Sequence, residues 1–136
     1  MKTTANATAE PRVSDIVTVG VTNEPRSLPV IRLLVAAVAA RVDLSLEQID
    51  ELQLAIEMVL ASRVAPGATA TLEIEAHDGA IEVRVRLFGR GSPQSSGLPV
   101  GWILSTLVDT AEPITVEGKQ WLRIEKRRSA ATSGGG

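Results

Sequence analysis

The chain has 136 residues, 44% of them hydrophobic, enough for one domain with a substantial core and too few for two. A net charge of -2 supplies no basic surface for phosphate contacts, which argues against a nucleic-acid binder and for protein partners. With no cysteine and one histidine, His77, there can be no disulfide, no thiolate metal site, no cysteine nucleophile and no multi-histidine zinc site.

The longest apolar run, Leu33 to Ala40, is far short of the roughly 20 residues of a membrane span, and the N-terminus lacks a basic-then-apolar signal pattern. The expectation is a cytoplasmic protein without a membrane partner. Residues 1–12 are Thr/Ala-rich without periodicity, and residues 129–136 are small and polar with three terminal glycines. Both read as disordered tails flanking a single domain over 13–128.

From Asp15 to Val21 the chain alternates Val17, Val19 and Val21 with Thr18 and Gly20, the pattern of a half-buried strand. Asn23, Glu24 and Pro25 end it. A helix is expected from an N-cap at Ser27 to about Val42, with Leu28, Ile31, Leu34, Val35, Val38 and Val42 on one face. Apart from Arg32 and Arg41, its other side is mostly alanine (Ala36, Ala37, Ala39, Ala40), a smooth surface where a solvated helix would carry charge.

Ser45 and Gln48 form an S-x-x-Q capping box for a second helix, and Leu44 can staple onto Ile49. Ile49, Leu52, Ile56, Val59 and Leu60 make its core stripe, while Glu47, Asp50, Glu51 and Glu57 keep other faces wet. Met58 and Ser62, four apart, share a face one turn from each other. Pro66-Gly67 stops the helix.

Two strands joined at Asp78-Gly79, a type I′ hairpin signal, then follow. This turn places Leu72 opposite Val85, Ile74 opposite Val83 and Ala76 opposite Ile81 on one face, and Glu73 opposite Arg84 on the other. It also sets Glu75 against Glu82, a repulsive pair. His77 reads as a solvated turn residue. The loop Gly89 to Gly97 (GRGSPQSSG) has no periodicity and is read as a mobile connector.

Val100, Ile103, Leu104 and Leu107 announce a third helix ending near Asp109, with Trp102 expected to be half-buried packing. A last hairpin aligns 114–116 with 122–124 if Glu117, Gly118 and Lys119 make a three-residue loop. Trp121 then points to the opposite, polar face, either as a surface contact or under a packed tail. Lys126-Arg127-Arg128 reads as a solvated strand end. The order β-α-α-β-β-α-β-β gives an α+β class: a two-layer α/β sandwich whose mixed, mostly antiparallel sheet of four or five strands carries helices on one face.

This element order, the run Leu52-Gln53-Leu54-Ala55-Ile56 on the second helix and the run Gly101-Trp102-Ile103-Leu104-Ser105-Thr106-Leu107-Val108-Asp109 on the third resemble the anti-sigma factors of the RsbW type. The resemblance is greatest to their UsfX-like branch and covers roughly Ile16 to Lys126. It implies the histidine-kinase-like (GHKL, or Bergerat) ATPase fold, and a family activity in which ATP phosphorylates an anti-anti-sigma (STAS-domain) partner. Carried over by position, the family's Glu and Asn for water activation and magnesium binding fall on Met58 and Ser62. Its adenine-reading aspartate falls near Val85 or Leu87, and its phosphate-box glycines are represented loosely by Gly89, Gly91, Gly97 and Gly101.

The expectation is therefore an anti-sigma factor that sequesters a sigma factor without being an enzyme, with no cofactor and no metal. The resemblance places the sigma-binding surface on the first helix, making Arg32, Ala36, Ala39 and Ala40 the candidates, and implies a homodimer through the first strand and helix. Two other readings stay open. One is an active ATP-dependent serine kinase with displaced ligands; the other is a pseudo-enzyme whose vestigial pocket (Met58, Ser62, Val85, Gly89, Gly91, Gly101) binds another ligand as a switch.

Overall fold

A computed structural model of the protein describes residues 16–86 and 100–129. The terminal segments expected as tails and the 87–99 connector lie outside the described residues, apart from Ser129.

The valine alternation forms β1, Ile16–Thr22. Pro25 then opens a single 3-10 turn, Pro25–Ser27, that leads into α1, Leu28–Ala39. Ser27 has helical backbone angles and makes no side-chain cap bond. The expected cap is thus replaced by Pro25 and Pro29, whose fixed φ suits first helical positions. The helix stops at Ala39 rather than Val42. Arg41 N and Val42 N bond back to Val38 O and Ala39 O at 3.0 Å each in a tightened last turn, and Asp43 turns the chain at φ 54°.

The capping box at the start of α2, Leu46–Arg63, is present. Gln48 N donates to Ser45 Oγ at 3.0 Å and Ser45 N donates to Gln48 Oε1 at 3.0 Å. At the other end of α2, Asn23 does more than terminate β1. Its Nδ2 donates at 2.8 Å to the Val64 carbonyl, which the helix end leaves open, and at 3.2 Å to the Leu60 carbonyl, which also accepts from Val64 N.

The remaining elements are β2 (Thr69–His77), β3 (Ala80–Arg86), α3 (Val100–Leu107), β4 (Thr110–Val116) and β5 (Lys119–Arg127). They complete an α+β two-layer fold with the five-stranded sheet order β1-β2-β3-β5-β4. Every neighbouring pair is antiparallel, so the expected mixed sheet is fully antiparallel. The strands β3 and β4, joined through α3, run the same way, but β5 inserts between them and no parallel pair forms.

At the Asp78-Gly79 turn φ is 45° and 75°, the type I′ geometry, and the register of β2 on β3 is the one the sequence implies. The last hairpin differs. Glu117 and Gly118, at φ 54° and 78°, make a two-residue turn rather than the expected three-residue loop, because Glu117 accepts the left-handed conformation. Val116 then faces Lys119, and Ile114 faces Trp121 across the outer face. A shift of register moves side chains to the opposite face, and Ile114 and Val116 leave the core for that reason.

The inner face of the sheet and the three helices enclose the core, with Ile31, Leu52, Ile56, Leu60, Leu72, Ile74, Ile81 and Ile124 its largest fully buried side chains. On the outer face the pairing of Glu75 with Glu82 is not left repulsive. Arg84 reaches Glu73 at 2.9 Å, Glu75 at 3.4 Å and also Glu82, while Arg123 reaches Glu82 at 3.3 Å.

Candidate functional site

The outer side of α1 and the space between α2 and α3 hold the candidate residues. At about 100° per residue, Ile31, Val35, Val38 and Ala39 fall on one side of α1, and all four are buried. Ala39 therefore belongs to the core and not to the alanine surface, which corrects its expected place among the sigma-contacting residues. Ala36, Ala37 and Ala40 are exposed. Between them stand Val30 and Leu33, 49% and 69% exposed, which the sequence reading missed. Their signal was legible, since neither position fits the spacing of the buried stripe.

Arg32 marks the margin of this surface toward α2. Its guanidinium pairs with Glu57 at 2.7 Å, and its carbonyl accepts a hydrogen bond from Gln53 Nε2 at 3.0 Å. Arg32 is thus held by α2 rather than standing alone, and Glu57, expected on a wet face, is largely covered. The guanidinium side remains half exposed. At the opposite margin Arg41, with Ile16, Val17, Ala37 and Val38, lines a groove of about 260 Å³ between β1 and α1.

On α2, Met58 and Ser62 share a face as expected. The Ser62 hydroxyl donates to the Met58 carbonyl at 2.9 Å, so the one polar group at these two positions is bonded to its own helix. Val85 is fully buried, paired with Leu72 on one side and Leu122 on the other. Its place in the vestigial pocket is corrected to the core. Gly101 lies in the first turn of α3, whereas Leu87, Gly89, Gly91 and Gly97 lie outside the described residues. Among the described residues no group of three or more His, Asp or Glu side chains could hold a metal ion.

Beside α2, one face further round, there is open space. A cleft of about 220 Å³ between α2, α3, β4 and β5 is lined by Val59 and Arg63 rather than by Met58 and Ser62. Leu104, Ser105, Val108 and Asp109 form its α3 side. Lys126 fixes that side. Its Nζ donates to the Leu107 carbonyl at the end of α3 and to Glu51 Oε1 on α2, both at 2.7 Å. The expected solvated basic run is therefore corrected at its first member. Lys126 continues the inward alternation of Leu122 and Ile124 and is buried, while Arg127 and Arg128 are exposed.

Trp102 and His77 differ from expectation, whereas Trp121 lies on the outer, polar face where the sequence places it. Trp102 is 68% exposed rather than half-buried. Trp121 is half-buried on the outer sheet face with the Arg86 guanidinium 6.0 Å from its ring centre. His77 is part-buried, with Nε2 3.3 Å from Glu82, rather than a solvated turn residue. Burial pushes the Glu82 carboxyl up. Hydrogen bonds from Arg84 and His77 and the charges of Arg84 and Arg123 outweigh it and hold the group below its ordinary value. For Arg84, hydrogen bonds and charge from Glu73 and Glu82 likewise outweigh the effect of burial and raise its pKa.

No helix among the described residues is long and apolar enough to cross a membrane. Neither a family model nor a curated protein matches the sequence. Among solved structures, the chain is similar to the crystal structure of the RsbU and RsbW domains of Rv1364c from Mycobacterium tuberculosis, with a TM-score of 0.58 at 15% identity. The similarity covers 83% of this chain and 32% of that one, so this chain spans about a third of the length of its neighbour. At that identity the likeness is one of fold, and the fold of this chain is RsbW-like.

Proposed function

We propose that this chain is an anti-sigma factor that acts by binding: it sequesters a sigma factor of RNA polymerase and transfers no phosphate. The observation that carries the reading is an RsbW-like fold in which the two α2 positions matching the family's catalytic pair are Met58 and a Ser62 hydroxyl already bonded to the Met58 carbonyl. General-base catalysis and magnesium binding need carboxylate or amide oxygens within reach of water and phosphate. Neither side chain provides one.

The sigma-binding surface in this reading is the outer side of α1, where Val30, Leu33, Ala36, Ala37 and Ala40 form an exposed apolar stripe with Arg32 on its margin. Such a stripe gains most when another apolar surface covers it. The groove beside β1, the edge strand among the described residues, with Ile16 exposed, suits a second copy of the chain, and the protein works as a homodimer. Release of the sigma factor by an anti-anti-sigma protein belongs to the same reading.

The test is co-purification of the tagged protein with its native partners, followed by incubation with labelled ATP and magnesium. Capture of a sigma factor without label transfer to any captured protein is the expected result. Stoichiometric phosphorylation of a partner would replace this reading with that of an active kinase.

A further inference from the structure

The α2–α3 cleft has a composition that the sigma-binding reading does not use. Its floor is apolar, formed by Val59, Leu104, Val108 and Leu122, all buried. Its remaining walls carry one cation and one carboxylate. Arg63, at the last position of α2, is exposed, and its side chain makes no hydrogen bond or ion pair with any described residue. Asp109, at the exit of α3, is held in place from one side. Its backbone N donates to the Glu125 carbonyl at 2.9 Å, and its Oδ2 accepts from Arg127 N at 2.7 Å. A carboxylate offers about four acceptor sites, so Oδ1 remains open to a donor.

Size narrows the occupant. Clefts that take drug-sized ligands measure roughly 300–1,000 Å³, whereas a cavity of about 150 Å³ is filled by one benzene molecule. At about 220 Å³ this cleft is too small for a nucleotide and large enough for a ligand of six to ten heavy atoms, by the same comparison. Charge narrows it further. A simple carboxylate would meet Arg63 but face Asp109, and a simple amine would do the reverse, so the pair favours a ligand carrying both charges beside an aliphatic body.

We propose that the cleft between α2 and α3 is a binding site for a small aliphatic α-amino acid. The ligand carboxylate pairs with the Arg63 guanidinium, which can take it through two parallel N–H donors. The ligand ammonium donates to Asp109 Oδ1, and the branched side chain covers Val59, Leu104, Val108 and Leu122. Because the cleft spans α2, α3 and the β4–β5 pair, occupancy ties α3 more firmly to the sheet. The site is independent of sigma-factor binding and can be tested on the protein alone.

The test is an NMR titration of the full chain with L-leucine, following the methyl groups of Val59, Leu104 and Val108. Saturable shifts with a midpoint of about 10 mM or below are expected. Isovalerate and 3-methylbutylamine, each lacking one charge, should bind at least about tenfold more weakly. Arg63→Gln, at an exposed position that folding does not use, should weaken L-leucine by at least about tenfold while leaving 3-methylbutylamine unchanged. Absence of saturable shifts at about 20 mM L-leucine, or equal affinity of the Arg63→Gln protein for L-leucine, would overturn the proposal.

Discussion

Replacing Lys126 with methionine keeps the length and most of the apolar stem of the side chain but removes both contacts of its ammonium group. Those contacts are the 2.7 Å bonds to the Leu107 carbonyl and to Glu51, made by a side chain that is only 10% exposed. Hydrogen bonds to charged groups contribute about 1.5 to 3 kcal/mol, and breaking a fully buried pair costs about 3 to 5 kcal/mol. Glu51 is 34% exposed, so water can resolvate the carboxylate left behind and the larger figure does not apply. The Leu107 carbonyl, at the end of α3, loses its donor outright. The expected net cost is about 2 to 3 kcal/mol, which for a domain of this size lowers the thermal midpoint by roughly 8 to 12 °C. Urea and thermal unfolding of Lys126→Met, Glu51→Gln and the double variant measure it. The double variant should be less destabilised than the sum of the two by about 1 kcal/mol, since the second change removes an interaction already lost. A cost for Lys126→Met below about 0.5 kcal/mol, the value of an ordinary surface pair, would refute the view that this lysine anchors α3.

Leu33→Asp should weaken partner binding by at least about thirtyfold, because it replaces an apolar contact by a charge, and should shift the thermal midpoint by less than about 2 °C. Arg32→Gln should cost about tenfold in affinity and at most about 1 kcal/mol in stability, since its pair with Glu57 is half exposed; calorimetry and thermal unfolding separate the two effects. Because the folded-state pKa of Glu82 is depressed, its stabilising contribution is complete above the ordinary carboxylate value of 4.5 and is lost as pH falls through the lower folded value. Glu82→Gln should accordingly show a shallower acid limb in unfolding experiments between about pH 5 and pH 2. Asn23→Ala should lower stability by about 1 to 2 kcal/mol in urea unfolding, as the Val64 carbonyl at the end of α2 loses its donor and the Leu60 carbonyl loses one of two.

Local signals were the legible ones. The Ser45/Gln48 box, the Asp78-Gly79 turn and the apolar stripes of α1 and α2 depend on neighbours within a few residues, and the structure contains each of them. Contacts set by the assembled fold were not legible. Nothing near Lys126 in sequence reveals that α2 and the end of α3 supply its two acceptors, 75 and 19 residues away. Asn23 likewise finds its partners 37 and 41 residues on. Arg84 turns a like-charge pair into a network only because β2 and β3 both present glutamates to it. The last hairpin failed for a different reason: Glu117 has no strong preference for a left-handed conformation, so the two-residue turn carried a weaker signal than Asp-Gly. In the candidate site, Ala39 was misplaced by grouping alanines by type instead of by angle around the helix.

In the proposed function the RsbW-like fold works through contact alone, without nucleotide chemistry. Calorimetric titration of the protein with the sigma factor that co-purifies with it, performed with and without magnesium and ATP, tests this most directly. One affinity under both conditions, lost in Leu33→Asp, is the expected result. Binding that requires ATP, or that Leu33→Asp leaves intact, would contradict it.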